Sequence, residues 1–387
     1  MKVLFLIYHG FSEASGISKK IHYQVKGLRE NGHEVHLCYY DFSPNGHRCR
    51  YVEGQVIADY GKGAVAGFRQ RTDFGCVYDY CKEKGIELVY ARCFQNANPF
   101  LIRFFKKLRK LGVRCVTEIP TYPYDNEFKT FPFKVRMGLK IDQMFRCQLA
   151  QQMDAMVTFS DAETIFGQRT IRISNGVDFD SIPIHQYQPK DDAIHLIGVA
   201  EVHIWHGYDR LIKGLGFYYQ NTPNPRQVYF HIVGGVHDHD MYTGTAYYPS
   251  FQSMIEQYGI KDKIVFHGQL FGRELDDVFS QCCFAVGSLA RHRSGITVIK
   301  TLKNREYASR GIPFVYSEQD SDFDHQPYVL KAAADESPVN VSEILDFIDH
   351  HQFVAADIRN SVRHLSWKEQ MNQVVQAVEA IESASIA

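Results

Sequence analysis

The sequence predicts an α/β protein built as two doubly wound halves, on three observations. Residues 1–40 hold a strand–helix–strand unit, a second series of the same kind starts at residue 194, and a polar, proline-bearing stretch at 181–192 separates the two. Residues 3–7 are an unbroken apolar run, the pattern of a strand buried on both faces. The turn-prone His9-Gly10 and a polar loop lead to Gly16, after which Ile17, Ile21, Val25 and Leu28 recur at helical spacing. Asn31-Gly32 ends that helix and 35–40 resumes as a strand, which makes a βαβ unit and therefore a parallel sheet. Strands at 86–91, 113–117 and 155–159, with a helix at 99–110, continue the first half.

The second half repeats the scheme. Strands are expected at 194–199, 228–233, 264–266, 284–286 and 314–316, with helices near 208–219, 274–279 and 302–310. Trp367 opens a last helix, expected to return to the N-terminal half. The organisation expected is thus 1–185, 186–365 and a C-terminal helix over 366–387. Ligands of such sheets sit beyond the carboxyl ends of the strands, so the cleft between two halves is the expected site.

Composition narrows the function. A chain of 387 residues exceeds what one hydrophobic core usually serves. The formal net charge of −1 provides no global field for nucleic acid, so no nucleic-acid partner is expected. Nine cysteines form no CxxC pair, which argues against a zinc ribbon or disulfide framework and for a reducing compartment. The run at 3–7 is too short for a signal peptide or a membrane span. A cytoplasmic protein is expected.

The most informative segment is 287–317, GSLARHRSGITVIKTLKNREYASRGIPFVYS. It leaves a strand, crosses a loop carrying Arg291, His292 and Arg293, and enters a helix carrying Lys303, Arg305 and Glu306. A helix N-terminus approached by a basic loop suits a diphosphate, because free backbone N–H groups and cations both complement anionic oxygens. A carboxylate further along can accept from ribose hydroxyls. The competing reading is a solvated, charged helix face.

Residues 306–313, EYASRGIP, resemble the Glu-Ala-x-x-x-Gly-x-Pro segment of the GT-B family-4 glycosyltransferases, with Tyr307 in the alanine's place. Gly16-Ile17-Ser18 is similar to that family's glycine loop, and Asn175-Gly176-Val177-Asp178 to its domain junction. Residues 205–212, Val233-Gly234-Gly235 and Phe266-His267-Gly268 resemble three further turns in the same order. The resemblance implies two Rossmann-like domains facing across a cleft and a retaining transferase using a UDP- or GDP-sugar. It implies Glu306 on the ribose, the backbone of His267 to Leu270 beside the base, Gly16 and Ser18 toward the phosphates, and no cofactor and no metal. Consistent with that, His237-Asp238-His239-Asp240 is one consecutive stretch, and neighbouring residues rarely converge on one ion.

Two departures stand out. Val298 holds the place of the family's sugar-contacting glutamate, and Glu201 and His206 hold the places of its phosphate-binding arginine and lysine. Either Arg291, Arg293, Lys300 and Lys303 supply the charge from another side, or the chain is a catalytically weak nucleotide- or glycan-binding protein or scaffold. Relocation is preferred, since a leaving diphosphate is stabilised by cations from any direction.

The acceptor is expected in the N-terminal half. Glu118 ends a strand there and is the candidate catalytic carboxylate; the alternative is that it ties down the following proline-rich loop. Phe100, Leu101, Phe104, Phe105, Leu108 and Leu111 recur at helical spacing among Arg103, Lys106, Lys107, Arg109 and Lys110. Residues 128–146 repeat the mixture with Phe128, Phe131, Phe133 and Met137 among Lys129, Lys134, Arg136 and Lys140. Such helices suit an anionic membrane surface, or else pack their apolar stripe inward. The first alternative implies peripheral attachment to the inner face of the cytoplasmic membrane and a glycan or polyprenyl-linked glycan acceptor, as in surface polysaccharide assembly.

Overall fold

The computed structural model describes residues 1–11, 16–92, 96–125, 132–237, 241, 244 and 249–386. Phe128, Lys129, Phe131 and residues 238–240 lie outside them, as does the side chain of Lys134. The chain divides into two compact units: Met1–Gly176 with Leu365–Ala387, and Val177–His364.

In the first unit the order is β1 (Lys2–Leu6), α1 (Gly16–Glu30), β2 (Glu34–Phe42), β3 (Arg48–Val52), β4 (Gln55–Asp59), α2 (Gly63–Thr72) and α3 (Gly75–Lys84). Then come β5 (Leu88–Ala91), α4 (Pro99–Lys110), β6 (Arg114–Ile119), α5 (Phe133–Ala150), β7 (Ala155–Thr158), β8 (Thr164–Ile165) and β9 (Gln168–Arg172). Nine strands pair in the order β4-β3-β2-β1-β5-β6-β7-β9-β8. The inner strands run parallel, while β3 and β4 fold back antiparallel at one edge. Val3 to Leu6, buried on both faces, are the continuous apolar text expected of an inner parallel strand.

Helix α4 begins where Asn98 accepts from the N–H groups of Phe100 and Leu101, both at 3.0 Å, with Pro99 pre-set in the first turn. Its stripe of Leu101, Phe104, Phe105 and Leu108 is buried in the core, while Arg103, Lys106, Lys107, Arg109 and Lys110 stay exposed. The inward-packing alternative therefore holds for this helix. Helix α5 differs: Phe133, Met137, Ile141 and Met144 are all exposed. Among the described residues no helix is long and apolar enough to cross a membrane.

The second unit runs β10 (Ile194–Val199), α6 (Tyr208–Asn221), β11 (Val228–Val233), α7 (Phe251–Tyr258), β12 (Ile264–Gly268), α8 (Gly272–Gln281) and β13 (Phe284–Val286). It continues with α9 (Leu302–Arg310), β14 (Phe314–Tyr316), β15 (Val329–Lys331), α10 (Val341–His350) and α11 (Ala355–Ser361). Its six strands are all parallel, in the order β12-β11-β10-β13-β14-β15.

The N-terminal part of the first unit ends at Gly176 and the second unit begins at Val177. The polar stretch that reads as a linker is bound to the second unit: Arg359 Nη1 donates to Ile182 O (2.8 Å), His185 N to Arg310 O (2.7 Å) and Gln188 N to Ser280 O (2.7 Å). The last helix, α12 (Trp367–Ile386), does return to the first unit. Met371, Val374, Val375 and Val378 join the core around α1, and Gln370 accepts from Ser174 N at 2.6 Å. Gly27 permits the approach, since a Cβ there would lie 2.6 Å from the Trp367 carbonyl oxygen.

Candidate functional site

The second sheet grows from β10 outward to β11 and β12, then restarts on the other side with β13 and β14. Its switch point, where chain segments diverge and leave a crevice, is therefore at the carboxyl ends of β10 and β13. Tyr307 spans that point from α9: its hydroxyl accepts from Val199 N (3.0 Å) and donates to Val286 O (3.1 Å). This side chain thereby ties the two diverging strand ends together. Beyond it, the loops after β10 and β13 are joined, Leu289 N to His206 O at 2.9 Å and Ala290 N to Trp205 O at 3.3 Å. Gly207 makes this possible; its φ is 63° and a Cβ would sit 2.8 Å from that of Ala290.

Around this crevice lies a concentration of buried polar atoms with no hydrogen-bond partner among the described residues. They are Tyr208 Oη, Ser288 Oγ, Thr301 Oγ1, Lys303 Nζ, both side-chain polar atoms of Asn304 and both carboxylate oxygens of Glu318. Folded proteins satisfy nearly all such atoms, because each orphan costs about 1–3 kcal/mol. A group of them, contributed by four segments, makes this crevice the candidate site. Thr301 stands at the N-cap of α9 without making a capping bond, so the first N–H groups of that helix are uncapped as well.

The electrostatics agree. Burial, then the charge of Arg291, pull the Lys303 pKa down against the opposing effect of Glu318. Burial pushes Glu318 up, against Arg291 and Lys303. His206 is held well below its ordinary 6.5 by burial and by Lys303, Arg291 and His203, so it is neutral at pH 7. Its Nδ1 accepts from His203 N at 2.9 Å, which puts the ring proton on Nε2 as a donor.

Of the residues the sequence singles out, the fold brings His206, Arg291 and Lys303 together. Arg293 goes elsewhere. Its buried guanidinium is spread over Asp209 (2.9 and 2.8 Å), Glu336 (2.9 and 2.5 Å) and Ile204 O (2.9 Å), so it braces the loop rather than serving phosphate. Glu306 is half-buried on α9 and accepts Nε and Nη2 of Arg310 on Oε1, at 3.1 and 3.0 Å, while Oε2 accepts no hydrogen bond from the described residues. His267 closes an imidazole chain: Asp191 Oδ1 to His195 (3.0 Å), His195 to His231 (2.8 Å) and His231 to His267 (2.8 Å). Leu270 follows β12 on a half-buried loop.

In the first unit, Gly16 starts α1 exposed and Ser18 is buried within its first turn. Glu118 is fully buried at the end of β6 and takes hydrogen bonds from Tyr90 Oη (2.7 Å), Gln24 Nε2 (2.7 Å) and Arg92 Nε (3.2 Å), with Lys20 Nζ at 3.3 Å. Burial alone would raise its pKa, but Lys20, Arg92 and these hydrogen bonds outweigh it and bring the carboxyl to about 2. A carboxylate so weakly basic and so enclosed is a structural anion, not an acceptor-side base. A pocket of about 530 Å³, lined by Tyr8, His9, Asp41, Arg48, Arg71 and Asn98 among others, is one open concavity of this unit, and another of about 590 Å³ lies over His22, Arg29, Tyr39 and Glu53.

Glu318, like Ser288, Thr301 and Asn304, belongs to the cluster at the switch point and is passed over by the sequence reading. The extended segment around Val298 pairs with its segment, Ile299 N to Gln319 O at 3.0 Å and Gln319 N to Thr297 O at 2.7 Å. Gln319 is the residue opposite Val298, and both are exposed, whereas the Glu318 side chain is buried on the other face of its segment. The available signal was its position just past the strand at 314–316, the edge where ligands gather.

Two α/β units with parallel sheets, and a last helix returning to the first, define the GT-B fold. Over nearly its whole length the chain is similar to sucrose-phosphate synthase from Thermosynechococcus elongatus, with a TM-score of 0.64 at 14% identity, covering 99% of this chain and 100% of that one. The catalytic domain of starch synthase IV from Arabidopsis thaliana, bound to ADP and acarbose, gives a TM-score of 0.59 at 12% identity and 99% coverage of both chains. A pneumococcal O-GlcNAc transferase in complex with UDP and GlcNAc gives 0.54 at 11%, covering 98% and 99%. At these identities the likeness is one of fold. No family model matches the sequence, and no curated protein matches it.

Proposed function

We propose that the chain is a nucleotide-sugar-dependent glycosyltransferase that moves a sugar from a nucleoside diphosphate to a glycan or lipid-linked glycan in surface polysaccharide synthesis, with retention at the anomeric carbon. The observation that carries this reading is the group of unpartnered buried polar atoms at the switch point of the second unit. Lys303, Arg291, the Nε2–H of His206 and the uncapped start of α9 suit a diphosphate, and Oε2 of Glu306 suits a ribose hydroxyl. Solved proteins of this fold that hold UDP or ADP support the donor class.

A thermal-shift series with UDP-, GDP- and ADP-sugars tests the donor. One of them is expected to raise the unfolding temperature and to be hydrolysed slowly without acceptor. Glu306→Ala is expected to weaken that binding by roughly tenfold or more, since a hydrogen bond to a charged group contributes about 1.5–3 kcal/mol. If no nucleotide sugar is bound or hydrolysed, the transferase reading fails.

For the acceptor, α5 supports a membrane-linked substrate. Phe133, Met137, Ile141 and Met144 fall within one helical face and are exposed, flanked by exposed Arg136 and Lys140. Helix α4 adds only its exposed cations. Met137→Glu with Met144→Glu is expected to reduce sedimentation with phosphatidylglycerol-rich vesicles several-fold, and sedimentation equal to that of the parent protein would remove the membrane from the proposal.

A further inference from the structure

Three metal-ligating side chains meet at the carboxyl ends of β10 and β11. Beyond their last residues the two strands stay in register: Ala200 N donates to Val233 O (2.9 Å), Val202 N donates to Gly235 O (2.7 Å), and Val202 pairs with Val236 in a parallel bridge. Gly234 allows the approach, with φ at 125° and only 1.8 Å between a Cβ and the Ala200 carbonyl oxygen. Side chains alternate along extended backbone, and Val202 points into the core. Glu201 and His203 therefore share the opposite face, and His237, next to Val236, stands beside His203.

The ligand atoms of Glu201, His203 and His237 all lie within 4.8 Å of one another. His237 Nε2 is 3.8 Å from Glu201 Oε1, and the two imidazole centroids are 5.2 Å apart. The His203 ring stacks on Trp205 with centroids 4.4 Å apart, and its backbone N–H is tied to His206, so the loop that presents it is held. Ligands about 2.0–2.1 Å from a tetrahedral ion stand ~3.4 Å apart, a contraction that side-chain rotation supplies. Two imidazoles and one carboxylate form a set that keeps a coordination position open, and imidazole selects a borderline-soft ion over magnesium or calcium. Residues far apart in sequence thus build what the consecutive His237 stretch alone does not.

We propose that Glu201, His203 and His237 bind one divalent ion of the zinc class with a position open to an anionic oxygen. Only the identity of that oxygen, a donor diphosphate oxygen, rests on the transferase reading. Glu201 and His206 stand where the family resemblance places an arginine and a lysine, and an ion held by Glu201 restores positive charge there.

The test titrates zinc chloride into the EDTA-treated full chain by calorimetry, with no nucleotide present. One ion per chain is expected, weakened roughly tenfold or more by His203→Ala, by His237→Ala and by the isosteric Glu201→Gln, and unchanged by His47→Ala, which lies with Asp59 in the other unit. Absence of a one-to-one site, or equal affinity in all these variants, overturns the proposal. UDP is then titrated into zinc-loaded and stripped protein, with at least tenfold tighter binding expected when loaded. Equal UDP affinity overturns the diphosphate assignment, while absence of UDP binding in both states removes the transferase reading and leaves the zinc result standing.

Discussion

Lys303→Met is expected to lower donor hydrolysis and transfer by about 100-fold or more while the protein keeps its melting temperature. The ammonium is buried without a hydrogen-bond partner, faces Glu318 and is crowded by Arg291. Among the described residues no hydrogen bond repays its desolvation, which Glu318 and the Tyr208 ring, 5.8 Å away, offset only in part. An apolar side chain of similar length therefore removes a cost and leaves no orphaned partner beyond Glu318. The reaction is different. As the sugar–phosphate bond breaks, negative charge grows on the leaving diphosphate, and a fixed donor aimed at developing charge contributes about 2.7–4 kcal/mol. The pH profile carries a second readout. Burial and Arg291 lower the Lys303 pKa, so its charge is lost at a lower pH than for an exposed lysine. The alkaline limb of turnover is therefore expected well below the usual lysine range, and Lys303→Met is expected to abolish it. A variant that melts lower and turns over normally would make Lys303 a structural residue.

The fold was largely legible because inner parallel strands are buried on both faces and appear as apolar runs: 3–7, 194–199, 228–233, 284–286 and 314–316 all became strands at those places. The β3–β4 hairpin was not, since Arg48 and Arg50 interrupt the pattern, and the charge of Arg50 is buried over the Tyr40 ring, 4.0 Å away. Helices α2 and α3 show little periodicity, and β15, unlike the equally short β13 and β14, is only partly buried and so carries no apolar run.

Sites are harder to read because a cation's task depends on the carboxylates that the fold brings to it. Arg291 and Arg293 are two residues apart and alike in sequence, yet only Arg293 meets Asp209 and Glu336, 84 and 43 positions away. Glu306 is met by Arg310, one turn on, which bonds only one of its two oxygens. Glu118 lost its candidacy through Lys20 and Arg92, which no local pattern connects to it. The imidazole chain had a faint signal, since His195, His231 and His267 are each 36 residues apart.

Arg305→Met should produce the opposite outcome to Lys303→Met from two residues away on the same helix: a loss of about 3–5 kcal/mol in the unfolding of the second unit. The Arg305 guanidinium is fully buried and donates to Asp320 at 2.5 and 3.0 Å, to Asp322 and to Thr301 O at 3.1 Å. Asp320 is fully buried too, and its backbone N–H is bonded to Asp324 at 3.1 Å, so it cannot turn to water when its partner is removed. An uncompensated carboxylate in that position drives the loss, which urea unfolding of the parent and variant measures. Arg305→Lys should recover only part, because an ammonium cannot bridge both carboxylates with the geometry of a planar fork. Removing both charges should recover more: Arg305→Met with Asp320→Leu leaves less buried charge unpaired than either change alone, so the double variant is expected to be more stable than Arg305→Met. Full stability in Arg305→Met would mean that the pair is not worth its burial, and would remove the distinction drawn between a bracing cation at 305 and a ligand-facing one at 303.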